Sequence, residues 1–139
     1  MKDYSAEEID SLIQRFERQE LPKPEWTHEA HLVVAIWYNY QLDKKSAMDR
    51  VRDLITRHNT SVGTPNTDSE GYHETITQFW MNAADGFIAE RKSRSVYDLC
   101  SEFIQSDFAS SSTPLQFYSE AVLFSVEARH NWVEPNRRG

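Results

Sequence analysis

The sequence predicts an all-α protein, a helical bundle of about four or five main helices with short helices at its C-terminal end. Apolar residues recur at intervals of three and four along most of the chain, which is the spacing of an amphipathic helix. No stretch shows the strict apolar–polar alternation of a strand. The 139 residues include four glycines and five prolines, which leaves little material for hairpin turns. We expect one helical domain over residues 1–139, since this length suits a single core.

The composition narrows the class of protein. Apolar residues make up 39% and charged residues 27% of the chain, and the formal net charge is −7 at pH 7. Because nucleic-acid binding needs a concentrated positive surface, and no basic stripe is present, we expect no nucleic-acid partner. No apolar run approaches the roughly 20 residues of a membrane span, and the first residues lack the apolar core of a signal peptide. We therefore expect a cytoplasmic protein with no membrane contact.

The first helix is predicted from a capping box. Ser5 and Glu8 have the spacing at which each side chain accepts a hydrogen bond from the other residue's backbone N–H. The apolar positions that follow at helical intervals are Ile9, Leu12, Ile13 and Phe16. The helix should end before Leu21-Pro22, because proline disfavours helical geometry in the residue that precedes it.

Thr27 is the predicted N-cap of a second helix, which runs to about Leu42. This segment is apolar nearly all round and has no polar face that could meet solvent. A helix of that kind lies at the centre of a bundle. Any polar side chain that projects from it should then be buried or should line a cavity.

Two longer helices are predicted next. Ser46 should cap the third helix of the chain, and the segment 59–68 that follows it is expected to be irregular. Thr67 and Glu70 have a second capping-box spacing. They should start the longest helix, which we expect to run from about 69 to 92.

The last third of the chain is predicted to contain shorter helices. Ser95 should open a fifth helix, whose inward positions are Leu99, Cys100, Phe103 and Ile104. The segment 110–114 is expected to be a linker that ends with a helix cap and a proline. Short helices are expected around 115–123 and 126–131.

Three of the five histidines stand in two short phrases, each at the predicted start of an apolar helix. His28 and His31 are about 60° apart around the helix axis, so both imidazoles can reach one point. His73 belongs to another buried helix, and Glu70 precedes it at the E-x-x-H spacing that metal-binding bundles use. We predict that His28, His31 and His73, with Glu70 as the candidate fourth ligand, hold one divalent transition metal ion (Zn, Fe, Ni or Mn).

The same histidines also suit a pocket without a metal. Small-molecule sites are mostly aromatic cavities with a few convergent polar groups. The residues expected to share such a pocket with the three histidines are Tyr38, Asn39, Asn66, Tyr72 and Trp80. Acid–base catalysis and ligand recognition both fit this set, and the sequence indicates no specific catalytic residue.

A third interpretation gives the histidines structural roles only. At a helix start the positive end of the dipole disfavours an imidazolium, so these rings should be neutral. His31 would then stack on Trp26, and His73 would hydrogen-bond to a backbone carbonyl of a loop. Glu29 and Glu74 each follow a histidine directly and so point about 100° away from it, which favours a surface or dipole role for both.

Three phrases of the chain resemble those of a family of small uncharacterised bacterial proteins. They are Trp26-Thr27-His28 with His31-Leu32, Gly71-Tyr72-His73-Glu74-Thr75, and Trp132-Val133-Glu134-Pro135. The resemblance spans about 26–135 and implies a class of protein with no established activity. A looser likeness is to the DinB-like helical bundles, which hold a metal with three histidines. Their H-x-x-x-H spacing is not matched by His28 and His31.

Three functions therefore follow as expectations. The first is a metal-binding protein or metal-dependent enzyme that acts on a small molecule through the three-histidine site. The second is a metal-free binding module whose histidine and aromatic pocket recognises a small molecule. The third is a structural or interaction protein without such a site. No Gly-rich phosphate loop, nucleophile elbow or H-E-x-x-H motif is present in the sequence, which removes support for phosphoryl transfer and serine hydrolysis.

Overall fold

A computed structural model describes residues 3–91 and 94–138, and over these ranges the chain is helical with no strand. The five longer helices are α1 (Ala6–Glu17), α2 (His28–Gln41), α3 (Lys44–Ser61), α4 (Glu74–Ala89) and α5 (Val96–Gln105). The three short ones are α6 (Pro114–Phe117), α7 (Glu120–Leu123) and α8 (Val126–His130). Single 3-10 turns lie at Lys23–Glu25 and Asp107–Ala109. The predicted all-α bundle is confirmed.

The start of α1 has the predicted capping box. The Ser5 hydroxyl accepts the Glu8 N–H at 3.1 Å, and the Glu8 carboxylate accepts the Ser5 N–H at 2.9 Å. The buried face of α1 is the predicted one: Ile9, Leu12, Ile13 and Phe16. Burial of side chains of this size stabilises the fold by about 1.5–3 kcal/mol each, so this face holds α1 against the bundle.

The helix α2 is central, as its sequence predicts. The Thr27 hydroxyl caps it by accepting the Ala30 N–H at 3.2 Å. It contacts α1, α3, α4 and α5. Its buried residues are Ala30, Leu32, Val33, Val34, Ala35, Ile36, Tyr38 and Asn39. Partners surround most of α2, and its buried Asn39 bonds inside the protein, whereas Tyr40 and Gln41 at its end are exposed.

The start of α3 differs from the prediction. Asp43, and not Ser46, is the N-cap, because its carboxylate accepts the Ser46 N–H at 2.7 Å. Ser46 therefore occupies the first turn of the helix. With 18 residues, α3 is also the longest helix of the described ranges, whereas the prediction gave that place to the helix after it.

The start of α4 lies five residues later than predicted, at Glu74 instead of 69. Gly71 has a φ of +82°, a conformation that L side chains rarely adopt and that is not helical, so the helix begins only after it. Thr67 and Glu70 form a turn, in which the Thr67 N–H donates to the Glu70 carbonyl at 2.9 Å. The helix ends at Ala89, and the last predicted residue, Lys92, lies outside the described residues. Glu70 and His73 are therefore not on one helical face.

The C-terminal segment is fastened to the start of α4. The helix α8 packs on α4 and α7. The Thr75 hydroxyl donates to the Asn131 carbonyl at 2.6 Å and accepts the Val133 N–H at 3.2 Å. The Tyr118 hydroxyl donates to the Val133 carbonyl at 2.6 Å. The short C-terminal helices thus cover the bundle, as expected. None of the helices in the described ranges has the length and apolar character required to span a bilayer.

Candidate functional site

A cleft of about 390 Å³ lies where the start of α2, the second half of α3 and the start of α4 meet. We call it the His31–His73 cleft. Its apolar lining is Ile55, Val62 and Ile76, and its other lining residues are Lys23, Trp26, His31, Asn59, Thr64, Gly71, Tyr72, His73 and Thr77. Two of the three predicted site histidines therefore line one cavity.

The hydrogen bonds of His31 fix its tautomer. Its ring stacks on Trp26 with the two centroids 3.7 Å apart, as the structural interpretation expected. Its Nδ1 lies 2.7 Å from the Thr27 carbonyl, which can only accept, so Nδ1 carries the proton. The lone pair is then on Nε2, which has no hydrogen-bond partner among residues 3–91 and 94–138. His31 therefore brings an unpaired acceptor to the cleft.

The His31 ring is neutral at pH 7. Burial lowers its pKa from 6.5 to about 4, the hydrogen bond to Thr27 opposes this shift in part, and His28 and His58 add electrostatic repulsion. An imidazole with so low a pKa takes up a proton only weakly at pH 7. A general base works best there when its own pKa is near 7. The atom is thus better suited to accepting a hydrogen bond than to removing a proton.

Both nitrogens of His73 are already bonded within the protein. As the N-cap of α4, its Nδ1 accepts the Ile76 N–H at 3.1 Å. Its Nε2 must then carry the proton, which it donates to the carbonyl of Leu123 at 2.7 Å. Burial lowers the pKa of His73, the Leu123 bond opposes this, and the charge of Arg129 lowers it further. His73 lines the cleft with no lone pair free for a metal.

His28 points away from the cleft, although it shares the first turn of α2 with His31. Its Nε2 bonds to the carbonyl of Ala109 at 2.6 Å, and its ring meets Trp80 edge-on at a centroid distance of 5.1 Å. Trp80, a predicted pocket residue, packs among aromatic side chains there and does not line the cleft. The two α2 histidines therefore serve different sides of the helix.

The predicted metal ligands do not meet in one place. Glu70 is exposed in the loop before α4, on the far side of the turn at Gly71. Within the described part of the chain, no three side chains of His, Cys, Asp or Glu form a group that could hold a metal ion. His28 and Glu70 lie outside the cleft that His31 and His73 line, so the four predicted ligands do not form one site.

Two further predicted pocket residues lie outside the cleft. The Tyr38 hydroxyl donates to the Glu17 carboxylate of α1 at 2.6 Å. Burial of this phenol and its bond to Glu17 raise its pKa far above the ordinary value. Asn39 is buried and donates to the Met81 carbonyl at 3.1 Å. Both side chains join helices within the bundle.

Asn66 and Tyr72, the other two predicted pocket residues, do belong to this region. Tyr72 lines the cleft. The Asn66 oxygen accepts both the Tyr72 backbone N–H and the Asn59 side-chain amide, each at 3.0 Å. The Asn66 amide donates to the Thr56 carbonyl at 3.2 Å. Asn66 thus holds two lining residues, Asn59 and Tyr72, in position, although it does not line the cleft itself.

Of the two roles predicted for Glu74, the surface role is wrong, while its place in the first turn of α4 suits the dipole role. The residue is only 7% exposed, and its two carboxylate oxygens each accept an N–H of Arg52 at 2.8 Å. It also accepts hydrogen bonds from the Tyr72 hydroxyl, at 2.7 Å, and from Gln78. Burial alone would raise the pKa of Glu74, but these three donors hold it below its ordinary value. Through Arg52, Glu74 therefore fastens α4 to α3, and it also holds the Tyr72 hydroxyl.

Sequence reasoning missed Asn59 and Arg52. Asn59 follows His58 near the end of α3 and is 7% exposed, and it lines the cleft. A single asparagine near a helix end is an ordinary surface residue in most sequences, so nothing local marked it. Arg52 is 22 residues from its partner Glu74, and only the packing of α3 on α4 pairs them.

Two further cavities of the described ranges have weaker chemistry. One of about 500 Å³ lies beside α1 and is lined largely by exposed polar and acidic side chains. The other, of about 410 Å³, lies between α3 and α4. Three cations line it: Lys44, Lys45, which pairs with Asp49, and Arg52, which pairs with Asp49 and Glu74. The His31–His73 cleft is the one with an unpaired imidazole nitrogen.

Comparison of the chain with family models, with curated proteins and with solved structures gives no match. The resemblance of its phrases to a bacterial family therefore stays a prediction. The function has to be inferred from the cleft and its hydrogen bonds.

Proposed function

We propose that this protein is a metal-free binding module that holds a small molecule in the His31–His73 cleft. The observation that supports it best is the Nε2 lone pair of His31, which is unpaired and belongs to a neutral ring that lines the cleft. This nitrogen is not fully buried, so a ligand with a hydrogen-bond donor can reach it and bond to it.

The size and lining of the cleft support the same function. About 390 Å³ falls within the range of small-molecule sites, roughly 300–1,000 Å³. Aliphatic side chains and the aromatic Trp26 and Tyr72 provide apolar surface, while His31 and Asn59 provide a few polar contacts. This combination is typical of sites that bind organic molecules.

Recognition fits the cleft better than acid–base catalysis. The pKa of His31 is about 4, and that of His73 is also below its ordinary value. His73 would further have to break a bond to Ile76 or Leu123 before it could exchange a proton. Neither imidazole is therefore poised near pH 7, and a general acid or base works best there.

The metal-dependent function has less support. It requires His73 to release at least one of its two hydrogen bonds and His28 to turn away from its place beside Ala109 and Trp80 toward the cleft. The divalent metal expected from the sequence stays a prediction. Untagged protein loaded with Zn, Fe, Ni or Mn and then desalted tests it by metal analysis. One ion per chain, lost in His73→Ala, would favour the metal site over the metal-free cleft.

Fragment binding followed by NMR tests the proposed function. We expect some fragments to shift the Trp26 indole N–H and the backbone amides of Gly71 and Tyr72. Asparagine is the informative replacement for His31, because it keeps an N–H near the Nδ1 position and removes the Nε2 acceptor. His31→Asn should weaken binding about three- to tenfold, the value of one hydrogen bond.

The control is His28→Asn, which removes an imidazole from the same helix but outside the cleft. It should leave fragment affinity within about twofold, since no His28 atom lines the cleft. Fragments that bind both variants as tightly as the unmodified protein would contradict the role of His31. A library that yields no binder at the cleft would contradict the proposed function itself.

A further inference from the structure

The polar atoms of the cleft have a fixed donor and acceptor pattern. His31 presents a lone pair at Nε2, because its Nδ1–H is committed to the Thr27 carbonyl. Exchange of the proton between the two nitrogens would set the Nδ1 lone pair against the lone pairs of that carbonyl at 2.7 Å. The His31 acceptor is therefore locked in place by its own helix.

The orientation of the Asn59 amide is fixed by a chain of hydrogen bonds. Asn66 must point its oxygen at the Tyr72 N–H and its nitrogen at the Thr56 carbonyl. Because the same Asn66 oxygen lies 3.0 Å from the Asn59 amide, the Asn59 atom that meets it has to be the NH2 group. The Asn59 side-chain oxygen is then turned to the other side and has no partner in the described ranges.

Neither group can reverse its role cheaply. A flipped Asn59 would place its oxygen against the Asn66 oxygen and would leave two acceptors without a proton between them. Both residues line the cleft, so its two candidate acceptors are His31 Nε2 and Asn59 Oδ1, from two different helices. Trp26 also lines the cleft, and its indole N–H, a donor, has no partner among the residues that the structure describes.

We propose, on the basis of the binding function above, that the ligand is a neutral molecule with N–H donors beside a carbonyl, such as a primary amide or a urea. Its N–H groups would donate to His31 and Asn59, and its carbonyl would accept the Trp26 indole N–H. A carboxylate would set its lone pairs against both acceptors. A cationic donor such as an amidinium offers no carbonyl to the Trp26 N–H, and the charge of Lys23, whose exposed side chain also lines the cleft, disfavours it.

A matched set of phenyl compounds tests this ligand class. Benzamide and phenylurea carry the donors, methyl benzoate and benzoate lack them, and benzamidine carries them with a positive charge. Dissociation constants at pH 7 follow from NMR shifts of the full chain at Trp26, Gly71 and Tyr72. We expect benzamide and phenylurea to bind about tenfold tighter than the other three, and His31→Asn to reduce that preference about three- to tenfold.

The possible outcomes separate this inference from the proposed function. Methyl benzoate, benzoate or benzamidine binding as tightly as benzamide would overturn the neutral donor class. The neutral donor class would also be overturned by a second result. In it, benzamide and phenylurea fail to bind, and the cleft binders found in a broader fragment library all lack N–H groups. In either case the binding function stands. If no compound of either set shifts the cleft residues, the binding function falls, and this inference falls with it.

Discussion

The Nε2 of His73 donates to the carbonyl of Leu123, fifty residues further along the chain, at 2.7 Å. The same ring caps α4 by accepting the Ile76 N–H. One imidazole thus joins the start of α4 to the end of α7, directly beside the cleft. This relationship makes His73 a structural residue of the cleft wall.

Replacement of His73 should therefore reduce stability in two steps. Asparagine is a good N-cap and should keep the bond from Ile76 while losing the one to Leu123, at a cost of about 1 kcal/mol in the free energy of unfolding. Alanine loses both bonds and should cost about 2–3 kcal/mol. Urea denaturation measures both variants. Equal stability of the two would contradict the double role of this ring.

The Glu74–Arg52 pair should stabilise the fold by an amount that depends on pH. The pKa of Glu74 is lowered in the folded protein from an ordinary value of 4.5. Its contribution is then fully present above about pH 4.5 and is lost as the pH falls through the lower folded value. Glu74→Gln should cost about 1–3 kcal/mol at pH 7, because Arg52 is left without its buried partner.

The matched control for Glu74 is Asp49→Asn, which removes the other carboxylate bonded to Arg52. Asp49 is exposed, so its loss should change the free energy of unfolding far less than the loss of Glu74 does. Urea unfolding from pH 3 to 7 compares the variants. A Glu74→Gln protein that loses as much stability below pH 4.5 as the unmodified chain would show that another group dominates there.

His31 should produce a second pH dependence in a higher range. Its pKa falls from 6.5 to about 4 on folding, so the unfolded chain takes up this proton first as the pH drops. Stability from this group is fully present above pH 6.5 and declines as the pH falls toward 4. The decline should be about 2 kcal/mol, less than the full shift implies because the ring is partly exposed.

An NMR titration of the His31 ring and urea unfolding between pH 4 and 6.5 check this decline. His31→Asn should flatten the curve in that window, and the smaller contribution of His73, whose pKa is also lowered, should remain. A His31 ring that titrates near 6.5 in the folded protein would contradict the neutral acceptor on which the proposed function depends.

Gly71 should be far less tolerant of substitution than Gly63. Both have positive φ, +82° and +77°, so alanine strains the backbone at either position. A Cβ at Gly71 would also lie 2.3 Å from the Pro65 carbonyl oxygen, whereas nothing lies within 4 Å of one at Gly63. We expect Gly63→Ala to cost about 1 kcal/mol and Gly71→Ala at least 2 kcal/mol.

The difference between the two glycine variants isolates the contacts with Pro65 and Asn66, because the φ strain is common to both. Chemical denaturation measures it. Gly71→Ala should also weaken fragment binding, since Gly71 lines the cleft and Gly63 does not. Equal costs for the two substitutions would show that the loop moves freely and does not define the cleft.

The fold could be predicted from the sequence because local patterns decide it. The capping box at Ser5, the apolar α2 and the inward face of α5 are all where the spacing of residues places them. The start of α4 could not be predicted as well, since Thr67 and Glu70 have the spacing of a capping box and yet form a turn. The positive φ of Gly71 decides against the helix, and its close contact with Pro65 depends on the path of the loop, which the spacing of residues does not reveal.

The site could be predicted in part. His31 and His73 do line one cavity, and Tyr72 and Asn66 lie with them. The direction of each imidazole is set by distant carbonyls, Ala109 for His28 and Leu123 for His73, which sequence spacing does not reveal. For that reason His28 and His31, which share the first turn of α2, point to different sides of the helix.

The most direct test of the cleft is the tautomer of His31. Long-range 15N NMR of the histidine rings at pH 7 should show a protonated Nδ1 and an unprotonated Nε2. The Nε2 resonance should move upfield when the tightest-binding fragment is added, as a lone pair that accepts a hydrogen bond does. An Nε2 that carries the proton, or one whose resonance stays unchanged with the cleft occupied, would contradict the proposed function.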